Sequence, residues 1–314
     1  MQIRQAAERE MFEKLKQNIR TRVHNKRRTC VAVLALVLAG IAFITLSAVS
    51  ADSPVEAPEF YFTRLVYRQN PIPHGYFQRF TMAKPGPYTC PEFGGKNFFP
   101  PQGWGWATDS PGADCKLMGA IHRLTGQHVY PDPHYIEIMD PDLFKYPYAY
   151  IVEPGQMYFT DQEAARLREY LLRGGFLHLD DFWGLDQKEN LETELRKVFP
   201  EHALEPLPLT HPIFHTFFDI DEIIQTPNEG QGCRGGRTWE QPDDTEPRIY
   251  GISDDKGRLM VAVTYNTDLG DAWEFMDLGC YPKKYSGYAI RIVMRSDLWS
   301  SVKENLICLS RFLN

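Results

Sequence analysis

The sequence predicts an α/β protein built on a doubly wound sheet. Short apolar runs alternate with amphipathic stretches along the chain. The most regular helical stretch is bracketed by two such runs, and one run, "GRLMVAVTY" (257–265), is apolar enough for a strand covered on both faces. With 314 residues and 43% hydrophobic content, the chain can bury one large core or two small ones.

Taken in order, residues 1–30 are basic near their end, with Arg20, Arg22, Lys26, Arg27 and Arg28. Val31 to Ala51 carries no charge and has the length of a bilayer-crossing helix. Asp52, Glu56 and Glu59 follow it. The positive-inside rule then predicts a cytoplasmic leader (1–30), a transmembrane helix or signal anchor (31–51) and an exported remainder. The alternative is secretion after cleavage near Ala51, where Val49-Ser50-Ala51 offers small residues. Cys90, Cys115, Cys233, Cys280 and Cys308 would then face oxidising surroundings. No C-x-x-C pair points to zinc, and four of these cysteines allow two disulfides in three connectivities, or else buried thiols.

"EFYFTRLVY" (59–67) is rich in β-branched and aromatic residues and reads as a strand. Residues 70–112 are dense in Pro, Gly and aromatics and read as a long structured loop. Leu117, Met118, Ile121 and Leu124 space out a helix over 113–124, and "YIEIM" (135–139) and "YAYIV" (148–152) read as strands. In "TDQEAARLREYLLRGG", Thr160 and Glu163 form a capping box and Gly174 and Gly175 end the helix. "FLHL" (176–179) is the next strand and "NLETELRKVF" (190–199) the next helix.

Doubly wound sheets bind ligands at the carboxyl ends of their strands. Those ends are polar here: Tyr67 and Arg68, Glu153, Asp180 and Asp181, then Asn266 and Asp268. They predict one polar rim. Side chains alternate along a strand, so Asp180 and Asp181 should face opposite ways, one free for chemistry and the other for capping. "YNTDLGDAWEF" (265–275) and "WGWATDSPGAD" (104–114) each set carboxylates beside indoles, which suits either a polar ligand or a turn with an anchoring Trp.

Other motifs point away from familiar chemistry. "GQGCRG" (230–235) spells a dinucleotide fingerprint but lacks the strand before and the helix after, so it reads as a loop. Gln231 breaks the only near-match to a nucleophile elbow. His211 and His215 have the i, i+4 spacing of a metal pair, or of a capped turn. The net charge of −7 excludes a basic nucleic-acid face.

The segments "YFTRLVY", "WATDSPGAD…LTG", "YPYAYIVEPG", "LREYLLRGGFLHLDDFWG", "FP…LPLTHPIFHTFFDI" and "PRIYGISDDKGRLMVAVTYNTDLGDAWE" resemble, in that order, the bacterial family known as domain of unknown function 4159. The resemblance runs from about Phe60 to Met294 and implies a flavodoxin-like fold of the class I glutamine amidotransferase type, here over 59–294. It brings no activity with it, and the amidotransferase Cys nucleophile is missing. It points again to Asp180, Asp181, Trp183, His211, Asn266, Asp268 and Trp273. Residues 295–314 depart from the family pattern and read as a divergent tail. For a bacterial chain, the topology above means a single-pass inner-membrane protein with its main domain periplasmic.

The expected function is a binding or scaffolding module at the cell envelope, taking a carbohydrate, a peptide or an envelope protein through Arg64, Glu153, Trp183, Asn266, Asp268 and Trp273. The alternative is a hydrolase with Asp180 or Asp181 as base and, with a metal, His211 or His215 as ligands. A third expectation is a catalytically dead relative kept for assembly. The sequence names no cofactor.

Overall fold

A computed structural model describes residues 60–70, 90, 93, 105–215 and 217–294. The leader, the 31–51 segment, the 295–314 tail and most of the 70–112 loop lie outside the described residues. The expectation of a single-pass inner-membrane protein is corrected: among the described residues, no helix is long and apolar enough to cross a membrane. The apolar segment that raised that expectation is itself outside them.

The chain is mixed α/β, with a mostly parallel seven-stranded sheet between helices. The strands are β1 (Thr63–Val66), β2 (His134–Glu137), β3 (Tyr148–Val152), β4 (Phe176–Asp180), β5 (Glu205–Pro206), β6 (Arg248–Ser253) and β7 (Leu259–Tyr265). Their order across the sheet is β2-β1-β3-β4-β7-β6-β5. The first five are parallel; β6 and β5 close one edge antiparallel. Counted along the chain, the parallel strands run 2-1-3-4-5, a common doubly wound order whose crevice opens at the strands' carboxyl ends.

Alternation along the strands feeds two cores. On β3, Tyr148, Tyr150 and Val152 face one side, while Ala149 and Ile151 face the other. The first side is covered by α1 (Gly112–Thr125), α5 (Leu269–Glu274) and α6 (Lys283–Val293), through Leu117, Trp273 and Tyr288 among others. The second is covered by α2 (Asp161–Leu172) and α3 (Gly184–Val198), through Leu167, Tyr170, Leu191 and Leu195. Every residue of β3, β4 and β7 is buried, as parallel strands covered on both faces must be.

Local chemistry sets most boundaries. The capping box forms: Thr160 Oγ1 accepts from Glu163 N while Glu163 accepts from Thr160 N. Helix α3 starts six residues before the apolar pattern does. Its first amides are satisfied from afar: Gly184 N donates to Asn266 Oδ1 at 3.0 Å and Leu185 N to Asp243 Oδ2 at 3.1 Å. The expected loop at 230–235 is instead a short helix, α4 (Glu229–Arg234), capped by Asn228 and pinned by a disulfide.

Four cysteines pair as Cys90–Cys115 and Cys233–Cys280. Disulfides persist in oxidising surroundings. The Cys233–Cys280 bridge spans 47 residues that include β6 and β7. Replacing both cysteines with Ala is expected to lower stability by about 3 kcal/mol, mostly through a freer unfolded chain. Urea unfolding of the variant beside the oxidised chain measures this; a loss under about 1 kcal/mol would contradict it.

Candidate functional site

The parallel strands leave a cavity of about 450 Å³ at their carboxyl edge. Three of them prepare it in one way. The residue just past β3 is Glu153 (φ 54°), past β4 Asp181 (φ 60°) and past β7 Asn266 (φ 54°), all in the left-handed region. Asp109 (φ 63°), ahead of α1, adopts it too. Non-glycine residues pay about 1 kcal/mol or more for this conformation, and it concentrates at functional sites. Together with Asn228, Asp268 and their neighbours, Asp109, Glu153 and Asp181 line the cavity.

The lining is strongly acidic. Asp109, Glu153, Asp181, Glu240, Asp268 and Asp271 contribute to it, with Glu229 beside them. Among the described residues no Lys, Arg or His lines it. Two of the aspartates are held in place. Asp181 Oδ1 accepts from Trp183 Nε1 at 2.9 Å, and Asp268 Oδ1 accepts from Asp271 N at 2.7 Å as the cap of α5. Asp271 Oδ2 accepts from Glu229 N at 2.5 Å, tying α5 to α4.

Burial and mutual repulsion raise the proton affinity of several of these groups. Burial pushes Glu153 up to about 8, helped by Glu240 and tempered by the nearby Gln156. Burial also pushes Asp271 up to about 6, against the hydrogen bond from Glu229 N. Glu274, behind the cavity, rises to about 7 through burial and then Asp271. Asp109, Asp181 and Asp268 lie well above the usual carboxylate range, first through burial and then through one another's charges and those of Glu153 and Asp271.

Two triads of carboxylates each bring one oxygen per residue within 4.8 Å of the others: Asp109 with Asp181 and Asp268, and Asp109 with Asp271 and Glu274. An all-oxygen set of this kind suits hard cations.

The residues singled out from sequence fall into two groups. Glu153, Asp181 and Asp268 line the cavity, and Trp183 is buried behind it as the donor that orients Asp181. The others are built into the scaffold. Asp180 is fully buried, accepting from Tyr150 Oη and Leu269 N at 3.0 Å and from Thr264 Oγ1 at 2.5 Å. Burial pushes it up to about 7 against those bonds. Arg64 is fully buried and ion-paired to Asp114 at 2.8 Å. Asn266 clamps Gly184 N, Asp244 O and Glu246 O. Trp273 packs against Phe62 and Tyr150 in the first core. His211 and His215 flank the short turn Pro212–Phe214, outside the cavity lining. There His211 Nδ1 accepts from Ile213 N, and His215 bonds Asp219 and Leu209 O.

Glu240 and Asn228 were not foreseen, since they sit on irregular chain without periodic signal. Asp109 and Asp271 lie in the two carboxylate-and-indole stretches, 104–114 and 265–275. Thr-Asp occurs at 108–109, 160–161 and 267–268, each time at or just before a helix start, and two of the three serve the cavity.

No curated protein matches the chain. The family described as a domain of unknown function, number 4159, matches residues 101–294, well over half of the chain and the span that holds every cavity residue named above. The chain therefore belongs to the domain of unknown function 4159 family.

Proposed function

We propose that the chain is a binding domain for a positively charged ligand, taken into the cavity at the carboxyl edge of the sheet. The observation that carries this is the lining itself: carboxylates from Asp109 through Asp271 converge with no basic side chain among the described residues to neutralise them. A cation relieves both the repulsion and the desolvation that these groups suffer in the folded chain. The fitting chemistry is a metal ion, a polyamine, an amino sugar or a lysine side chain of a peptide. Neutral-sugar stacking has less support, because Trp106, Trp183 and Trp273 are all buried. The 2-1-3-4-5 strand order supports an amidotransferase-like fold for this domain, while all four cysteines among the described residues are tied in disulfides.

A hydrolase is the second reading, favoured by one observation. Glu153 at about 8 and Asp271 at about 6 straddle neutrality across one cavity, as an acid and base pair does. Asp181 lines the cavity, whereas both oxygens of Asp180 are taken by Tyr150, Thr264 and Leu269.

The test is thermal unfolding of the full chain with calcium, manganese, spermidine, glucosamine and glucose at matched ionic strength and pH 8. At least one cation should raise the midpoint saturably; about 100-fold excess over its Kd adds about 2.7 kcal/mol. Equal response to all five, or to none, would rule the reading out.

A further inference from the structure

One wall of the cavity is held by a covalent link. Asn228, Glu229, Gly230 and Glu240 line the cavity from the stretch that holds α4. A helix of six residues is too short to stand alone, so α4 depends on what it is tied to. Asn228 Oδ1 accepts from Gln231 N at 2.9 Å, and Glu229 N donates to Asp271 Oδ2 at 2.5 Å. Gly232 lies so close to Tyr281 that an added Cβ would be 2.5 Å from the ring. The covalent tie is Cys233–Cys280, which joins α4 to the chain between α5 and α6. A carboxylate oxygen of Glu229 comes within 4.8 Å of both sulfurs, so the bridge adjoins the lining itself.

Two further observations set this bridge apart. The first is access. Cys280 is exposed and Cys233 half-buried, whereas Cys90 and Cys115 are each 1% exposed. Exposed disulfides are the labile ones, because an attacking thiol can reach them. The second is a hinge. Directly after α4 come Gly235 (φ 72°) and Gly236 (φ 101°), in an exposed run over 234–237, and a Cβ added at either would meet nothing. Neighbouring glycines with open space around them give the chain freedom to turn. On the other side the stretch is anchored: Thr226 N donates to Thr267 Oγ1 at 3.0 Å, and Asp268 N to Thr226 O at 2.9 Å. α4 therefore sits between a fixed end and a loose one.

We infer that Cys233–Cys280 is a modification site, a bridge that an external dithiol reduces to release α4 from the cavity. A thiolate of the dithiol attacks the exposed Cys280 sulfur; the S–S bond breaks, and Cys233 leaves as a thiolate and takes up a proton. The dithiol's second thiol then displaces Cys280 from the mixed disulfide. Two electrons and two protons have passed to the chain, and the dithiol has become a disulfide. With the bridge open, α4 swings about Gly235 and Gly236, and the cavity loses the wall that carries Glu229. A ligand in the cavity is then held less tightly. That last step rests on the cation-binding reading; the release of α4 does not.

The test uses dithiothreitol on the folded full chain, after thiols already free have been blocked with N-ethylmaleimide. Newly freed thiols are labelled with iodoacetamide and located by peptide mass spectrometry. Cys233 and Cys280 should be labelled at least about tenfold faster than Cys90 and Cys115. Amide hydrogen exchange over 228–240 should quicken by about tenfold or more, with β3 and β4 unchanged. The double variant Cys233→Ser with Cys280→Ser should exchange as fast without reductant and no longer respond to it. Calcium, manganese, spermidine and glucosamine are then titrated into both forms. A cation that binds the oxidised chain should bind the reduced one about tenfold more weakly, as where the closed wall is populated about a tenth of the time. Equal labelling of all four cysteines, or exchange over 228–240 that reduction leaves unchanged, overturns the site. Equal cation affinity in both forms overturns its control of the cavity. Faster exchange with no cation binding either form supports the release of α4 and overturns the cation reading alone.

Discussion

Arg64→Met is expected to destabilise the chain by about 4 kcal/mol, the cost of stranding one partner of a buried ion pair. Arg64 sits on β1 with no exposed surface. Its Nε donates to Asp114 Oδ1 at 2.8 Å, and its Nη1 to Thr108 O at 2.7 Å. The guanidinium also lies 5.2 Å from the Tyr150 ring centroid, its cross-strand partner. Methionine keeps the aliphatic stem and removes every one of these contacts. Asp114, 1% exposed in the first turn of α1, is left without its ion-pair partner. Because Thr108 adjoins Asp109, the loosened loop should weaken cation binding as well. The double variant Arg64→Met with Asp114→Leu should recover most of the stability, since replacing both partners of such a pair is often neutral. Urea midpoints of the three variants decide it: a single-variant loss under about 1 kcal/mol would show that the pair is not what holds β1 to α1.

The second large effect is an inverted pH profile. Proteins held by paired carboxylates lose stability as acid protonates them; this chain without cation should be more stable at pH 5 than at pH 8, by on the order of 5 kcal/mol. Asp271, Asp180, Glu274 and Glu153 rise to about 6, 7, 7 and 8 in the folded chain, so between their unfolded values and these the folded state binds more protons than the unfolded one. Their contribution is complete below about pH 4 and is lost as pH climbs through the folded values. His134 acts oppositely. Burial pushes it down to about 4, so it favours folding above its unfolded value and offsets part of the effect as pH falls. Glu163, Glu201, Asp244 and Asp254 are lowered, and they remove stability only in stronger acid. Unfolding midpoints in chelator-containing buffer should drop by on the order of 10 °C from pH 5 to 8, and saturating cation should erase the share of the drop that Glu153 and Asp271 contribute. A midpoint that is flat or rises over that interval would mean that the cluster does not hold its protons.

Where an element owes its existence to nearby residues, the sequence displays it. β3 was legible to the residue, and α2 nearly so, because an apolar run and a capping box are local. β6 was not: Gly251 interrupts its pattern, and the structure shows why, since a Cβ there would meet Leu259 and Leu207. α4 and α5 are six residues each and stand on caps and a disulfide rather than on a periodic face. The polar rim was legible because parallel strands place their carboxyl ends together whatever the details. Which rim residues face the cavity was not, because that depends on distant partners. Arg64 and Asn266 look like ligand groups until Asp114, 50 residues on, and Gly184, 82 residues back, take their side chains.

The left-handed residues after the strands also restrict what drift can do to this site. At Asp109 and Asp181 the backbone admits Asp, Asn and Gly far more readily than bulky or β-branched residues. The permitted alphabet therefore varies charge while keeping shape. A lineage can silence the cavity with a single Asp-to-Asn exchange and keep a folded domain, and it can restore the site by the reverse exchange. Among relatives, Asp or Asn at positions 109 and 181 should thus sort active from silent copies better than overall similarity does.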